Sequence, residues 1–439
     1  MTPEKVKHMN KEILRLALPN ILTNLTVPLL GMVDMHLMGY QDSSVFMGAV
    51  ALGSVIFNLV YWGFGFLRMS LSGMAAQAFG RQNINEMAMM LFRGMFLALS
   101  AGFILLVLQN GVLGLSLHVL EGSAEVKALA SDYFSVRIWA APLAISLMVI
   151  NGWFLGMQNS IYPMVVSIAI NIVNIASSFV FVKVFNMKVE GVAWGSVVAN
   201  GIGFLFALVL FLKRYRYILK EFNVNAVLDK TGLLKFLDVS GDIFVRTLCI
   251  IIVFTFFTSE SAGTSDLILA ANSALLQFLF LFSYFLDGFA YAAEALVGKF
   301  TGGHNISQVK RAVRYLFSWG AAFAIIFLGI YAGAGHSLLL MFTNQPEVIG
   351  VAVEYLPWLI LLPLTGFASF IWDGIYIGAT ASRLMRNTML MATAVFFILF
   401  FSLKGNMGNH ALWIAMNCFM LGRGLLQTVF YRKLHVLKS

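Results

Sequence analysis

Long stretches of this chain carry almost no charge, and such stretches recur along it. Residues 97–108, for example, read LALSAGFILLVL. The blocks run to about 20 residues, the length that crosses a bilayer as a helix. The other spanning architecture, a closed β-barrel, needs segments of about 10 residues that alternate apolar and polar. These blocks are continuous, so they read as helices. With 60% hydrophobic and 11% charged residues, the 439-residue chain cannot dress a soluble globule in polar surface. It reads as an all-α, multi-pass membrane protein.

Twelve spans are predicted, at 13–38, 46–75, 89–110, 129–157, 162–183, 190–212, 238–258, 268–297, 312–333, 348–379, 387–403 and 409–430. The first block is too long for a signal-peptide core and no small-residue cleavage site follows it. Of the 29 Lys and Arg, Lys127, Lys183, Lys188 and Lys404 fall on one side, and Arg68, Arg137 and Arg246 fall within spans. The remaining 22 fall on the other side, a strong positive-inside bias. It places both termini in the cytoplasm and explains the net charge of +9 without nucleic acid. A plasma membrane, the inner membrane of a bacterium, is the expected location. Cys249 and Cys418 lie in apolar blocks and suggest no disulfide, metal or redox role.

The longest polar connection, 213–237, divides the chain into an N-terminal six-helix bundle (1–212) and a C-terminal one (238–439). At an offset of 222, QAFGRQN (77–83) faces KFTGGHN (299–305), and NGWFLGMQ (151–158) faces DGIYIGAT (373–380). An internal repeat of six spans each is parallel, with its pseudo-two-fold along the membrane normal. Repeats of this kind are characteristic of secondary transporters.

A helix turns about 100° per residue, which tests whether polar residues share a face. On span 1, Asn20, Thr23, Val27 and Asp34 fall near one line. On span 5, Ser167, Asn171, Asn174 and Ser178 form a stripe. Span 4 offers Asn151 and Gln158, and span 6 offers Ser196 and Asn200. For single Ser and Asn residues, packing glue between helices is the ordinary explanation. Asp34 is harder to explain so, because a charge at the bilayer centre costs about 2.5–3.5 kcal/mol on insertion scales. A carboxylate among amides and hydroxyls suits H⁺, or Na⁺ held at Asp34 and Asn174.

The second half carries more charge within its spans: Asp242 and Arg246 one turn apart, Asp287 and Glu294 seven apart, and Asp373. An ion-pair network around Arg246 accounts for Arg246 and one or two of the acids. The others would line a cavity. Arg68 and Arg137 have no acid near them in sequence and either snorkel or pair with a remote acid. Pro28, six residues before Asp34, could let span 1 bend.

With these residues in view, the chain resembles the multidrug and toxic compound extrusion (MATE) transporters, of the DinF-like branch. The resemblance rests on PLLGMVDMHLMG (28–39), the run from RIWAAP to NGWFLGMQ (137–158), VEGVAWGS (189–196), LAANSALLQ (269–277), LDGFAYAAEALVGKFTGG (286–303) and LPWLILLP with DGIYIGAT (356–380). It implies two six-helix bundles facing each other in a V, and exchange of amphipathic organic cations for H⁺ or Na⁺ by alternating access. It implies no cofactor beyond the coupling ion, and lipid and drug-like small molecules as partners of a monomer. It also implies a coupling site at Asp34, Asn151, Asn174 and Ser196. Many relatives add a second acid on span 5, where this chain has Ser178. The branch's further acids fall on Asp287, Glu294 and Asp373.

Two other readings compete. A flippase of lipid-linked oligosaccharides, from the wider superfamily, would favour a basic cavity for a pyrophosphate, against which the acids of the second half argue. An intramembrane enzyme would need an acid pair, a metal motif or a nucleophile with its base. His8, His36, His118, His304, His336, His410 and His435 are scattered and form no such motif.

Overall fold

A computed structural model describes the backbone of residues 3–39 and 44–431, and the side chains of 8–26, 28, 31–34, 37, 38 and 45–431. Val27 and the basic residues Lys5, Lys7, Arg432, Lys433 and Lys438 fall outside the described side chains, as do His36 and His435. The helices are α1 (Pro3–Gly39), α2 (Ser44–Gly80), α3 (Ile84–Val107), α4 (Gln109–Val119), α5 (Ala124–Arg137), α6 (Ala141–Gly156), α7 (Ile161–Phe179) and α8 (Val189–Tyr215). After the short α9 (Val224–Val227) come α10 (Lys230–Thr264), α11 (Asp266–Gly302), α12 (Ile306–Leu339), α13 (Pro346–Gly378), α14 (Ser382–Met407) and α15 (Asn409–Phe430). No strand occurs among the described residues.

Among the described residues, eleven segments are long and apolar enough to cross a membrane. The expected twelfth span, 409–430, coincides with α15 but is not one of them. Asn417, Arg423 and Gln427 dilute its apolar run. Arg423 also corrects the charge count: taken there as a residue of the Lys- and Arg-rich side, it is only 2% exposed. The predicted fourth span is two helices, α5 and α6, joined by a 3-10 turn at Ile138–Ala140. Pro142 sits in the first turn of α6, where its missing N–H costs nothing.

The helices cluster into two compact units, residues 22–236 and residues 1–21 with 237–439, so that α1 contributes to both. In the first, α6 packs on α2 and α3, and α7 on α8. In the second, α13 packs on α11 and α12, and α14 on α15. The pairing order is the same. Backbone landmarks repeat with it at the offset of 222. Left-handed φ angles occur at Gln82 and His304, at Gln158 and Thr380, and at Asn186 and Gly408. The side chains of Asn83 and Asn305 cap α3 and α12, accepting from the N–H of Glu86 and Gln308. Gly152 lies against the carbonyl of Arg68, and Gly374 against that of Ala290. Gly156 and Gly378 do the same with the carbonyls of Ser72 and Glu294. Glycine lets helix backbones approach this closely because nothing projects between them.

Gly374→Ala is therefore expected to destabilise the protein by about 1–3 kcal/mol, the cost of overpacking a tight contact. Gly350 lies on the same helix with nothing within 4 Å of its would-be Cβ. Gly350→Ala is expected to leave stability unchanged or raise it, since alanine is the better helix former. Thermal unfolding of the two variants in detergent compares them directly.

The polar connection is ordered against α3. The Asn223 side chain caps α9 by accepting from the N–H of Asn225 and Ala226. Arg93 of α3 donates to the carbonyls of Ala226, at 2.7 Å, and Val227, at 3.3 Å. Asp229 follows, its carboxyl held below the usual range by the Thr231 hydroxyl and the Gly232 N–H.

Candidate functional site

In the unit formed by residues 22–236, Asp34 is 6% exposed. Its Oδ1 has no hydrogen-bond partner. Burial of a lone carboxylate is costly unless it is paired or neutralised. The charge that acts on it through space is that of Arg137, at the end of α5. Arg137 donates to the Tyr133 hydroxyl and stacks over Phe57 at 4.8 Å. Tyr61 leans on the same Phe57 ring at 5.5 Å, its buried hydroxyl without a partner. Gly53 leaves room for the Tyr133 ring. Among the described residues Arg137 makes no ion pair with an acid, and its charge acts on Asp34 only through space.

The polar stripe of α7 meets α8. Asn174 donates to the Ser196 hydroxyl at 3.0 Å. Both residues are buried. The Oδ1 of Asn174, the Oδ1 of Asn151 and the Oγ of Ser178 are also buried without hydrogen-bond partners. Ser178 is fully buried and faces Gly195, so it packs where α7 and α8 touch. Asn171 makes a long contact of 3.5 Å to the Thr26 carbonyl of α1. Among the described residues no hydrogen bond joins Asp34 to the Asn174–Ser196 pair. Two members of the helical lines are spent locally: Asn20 donates to Leu16 O and Asn200 to Ser196 O. Thr23 is half-buried, its carbonyl taking the Thr26 hydroxyl. The common property of this set is surplus acceptors. Three buried oxygens, from Asp34, Asn151 and Asn174, are acceptors without a donor, and the Ser178 hydroxyl, which can donate or accept, is unpartnered as well; a proton or a hard cation would supply what the acceptors lack.

The other unit holds a different set. Oδ2 of Asp373 accepts from Arg246 and, at 2.7 Å, from Arg423; its Oδ1 accepts from Gln427 at 2.9 Å. Asp242, one turn from Arg246, does not pair with it. Asp242 accepts from Arg386 at 2.6 Å and from the Ser382 hydroxyl at 2.7 Å. Asp287 is half-buried and adds its charge to the field at Arg423. Glu294 is 1% exposed. Arg423, Gln427, Arg386 and Ser382 were not singled out in the sequence. The one available signal was the pairing of Arg423 and Gln427 four apart on the last helix.

The two polar sets are not copies of each other. At the offset of 222, Asn174, Ser178 and Ser196 correspond to Phe396, Phe400 and Cys418, and Asn151 corresponds to Asp373. The backbone repeats while the chemistry diverges. Among the described residues, no group of three or more His, Cys, Asp or Glu is placed to hold a metal ion.

Comparison with known proteins fits this architecture. The MatE family model matches residues 19–180 and again 243–402, once in each half. The chain is 34% identical over 428 residues to the DNA damage-inducible protein F of Escherichia coli K12, covering 97% of this chain and 92% of that one. It is 25% identical over 448 residues to the multidrug and toxin extrusion protein 1 of Danio rerio, covering 98% and 72%. A crystal structure of the Vibrio cholerae MATE transporter VcmN in the bent form superposes with a TM-score of 0.85 at 16% identity, covering 99% and 98%.

Proposed function

Because the chain belongs to the MatE family of transporters, we propose that it is a secondary active efflux antiporter that exports amphipathic organic cations and related compounds in exchange for H⁺ or Na⁺. Asp34 carries the coupling ion. The observation that carries this reading is the buried Asp34 carboxylate with an unpartnered oxygen, in the unit where the amide oxygens of Asn151 and Asn174 are buried without a donor too. In an alternating series of spans, α1 and α7 run the same way. Counting from the Thr26–Asn171 contact, eight residues bring α1 to Asp34 and seven bring α7 to Ser178, rises of about 12 and 10.5 Å. The two lie at the same depth, with Asn174 about one turn before.

Alternating access requires Asp34 to exchange its ion with one side when substrate is absent and to yield it when substrate arrives from the other. Arg137 supplies a fixed counter-charge for the ionised state, in a unit where Ser178 replaces the second acid of many relatives. Asn151, Asn174 and Ser196 supply neutral oxygens around the ion. The protein works in the inner membrane of a bacterium with both termini in the cytoplasm, as the basic residues of one side imply even without Arg423.

Proteoliposomes loaded with a fluorescent cationic dye test the reading, with a pH gradient or a Na⁺ gradient imposed separately. One of the two gradients is expected to accelerate dye movement. Equal rates with neither, either or both gradients would overturn it.

The flippase alternative is favoured by one observation. Asp242 and Asp373, which argued against it, are both matched by arginines, and Asp373 takes two. The same vesicles separate the readings: a flippase moves a pyrophosphate-linked lipid across the bilayer without an ion gradient.

A further inference from the structure

A cavity of about 290 Å³ opens among the first turns of α1, the end of α11 and the start of α12, far along the chain from the groups discussed above. Its walls include His8 and Glu12 of α1, Lys299 and Phe300 of α11, and Gln308 and Arg311 of α12. Its volume is at the small end for ligand pockets, which begin near about 300 Å³. Three of these groups are cationic or can become so, and one is acidic. Glu12 lies 3.7 Å from the Lys299 ammonium and 3.9 Å from His8 Nδ1. Arg311 has no carboxylate within ion-pair distance among the described residues, and Gln308 adds an amide donor.

The repeat shows that the fold does not require this charge. At the offset of 222, Lys299, Phe300, Gln308 and Arg311 correspond to Gln77, Ala78, Glu86 and Met89. The same corner of the other half has no cation at these positions. The cavity belongs to the Lys- and Arg-rich side, which also holds Lys11, Arg15, Lys310 and Arg314. Basic pockets between spanning helices on the cytoplasmic side suit anionic phospholipid headgroups. A guanidinium forks onto phosphate oxygens and an ammonium acts as a point charge beside it. The Phe300 ring offers apolar surface next to both.

We propose that this cavity binds a phosphate group, supplied by an anionic phospholipid headgroup or by free phosphate, through Lys299 and Arg311, with Glu12 as the internal carboxylate that it displaces from Lys299. Occupancy ties the first turns of α1 to α11 and α12. Since α1 is also the helix that carries Asp34, the site is placed to tune transport. Binding itself is independent of the proposed coupling mechanism.

The test is thermal unfolding of the purified full chain with added phosphatidylglycerol, phosphatidylcholine or inorganic phosphate. Phosphatidylglycerol is expected to raise the midpoint above phosphatidylcholine, and the doubly substituted Lys299→Gln, Arg311→Gln chain to lose that increment. Lys310→Gln, an exposed charge outside the cavity, keeps it. Glu12→Gln removes the internal competitor and enlarges it, a gain that a folding defect cannot mimic. An increment from inorganic phosphate alone, lost in the same double variant, assigns the site to free phosphate. No increment from either source, or one retained in the double variant, overturns the proposal.

Discussion

Asp34→Asn is expected to abolish export while the protein still inserts and accumulates at the wild-type level. The substitution keeps shape and removes the titratable, ion-binding oxygen. It also removes a buried charge whose Oδ1 has no hydrogen-bond partner, so thermal stability is expected to stay the same or rise. Growth in the presence of toxic cations, with membrane levels measured in parallel, checks both halves. Resistance equal to that of the parent chain would refute the coupling role of Asp34.

Asp373→Ala is expected to do the reverse and cripple the fold. Asp373 is 4% exposed and receives Arg246, Arg423 and Gln427 on its two oxygens. Arg423 is itself 2% exposed. Removing the carboxylate leaves two guanidiniums buried without their partner, and breaking a buried pair in this way costs about 3–5 kcal/mol. Removing the whole ionic set is far better tolerated than removing half of it. Asp373→Ala combined with Arg246→Met and Arg423→Met is therefore expected to unfold at a higher temperature than Asp373→Ala alone. If Asp373→Ala unfolds with the parent chain, the cluster is not holding these helices together. The two acids separate on one pair of measurements: Asp34 loses activity and keeps stability, and Asp373 loses stability first.

Hydropathy and charge asymmetry made the spans legible, because both are properties of a single segment. The buried Asp34 and the meeting of Asn174 with Ser196 were also within reach, since helical periodicity shows which residues share a face. It does not show what a side chain on that face bonds to. Asn20 and Asn200 lie on the right lines, yet each amide donates back to its own helix. Partners distant in sequence were out of reach. Arg423 is 50 residues from Asp373, and Arg386 is 144 from Asp242. Asp242 and Arg246, one turn apart, looked like a pair but find other partners on α13 and α14. The repeat was visible in two short matches because only backbone-determined positions keep it. Left-handed turns and helix-contact glycines recur at the offset of 222, while the polar groups between them were free to differ.

Coupling between substrate and ion is reciprocal, and that reciprocity is the most direct way to reach Asp34. In proteoliposomes without any imposed ion gradient, an outward substrate gradient is expected to drive H⁺ or Na⁺ inward through the parent chain, and to drive neither through Asp34→Asn. Ion movement of the same size through Asp34→Asn would contradict the assignment.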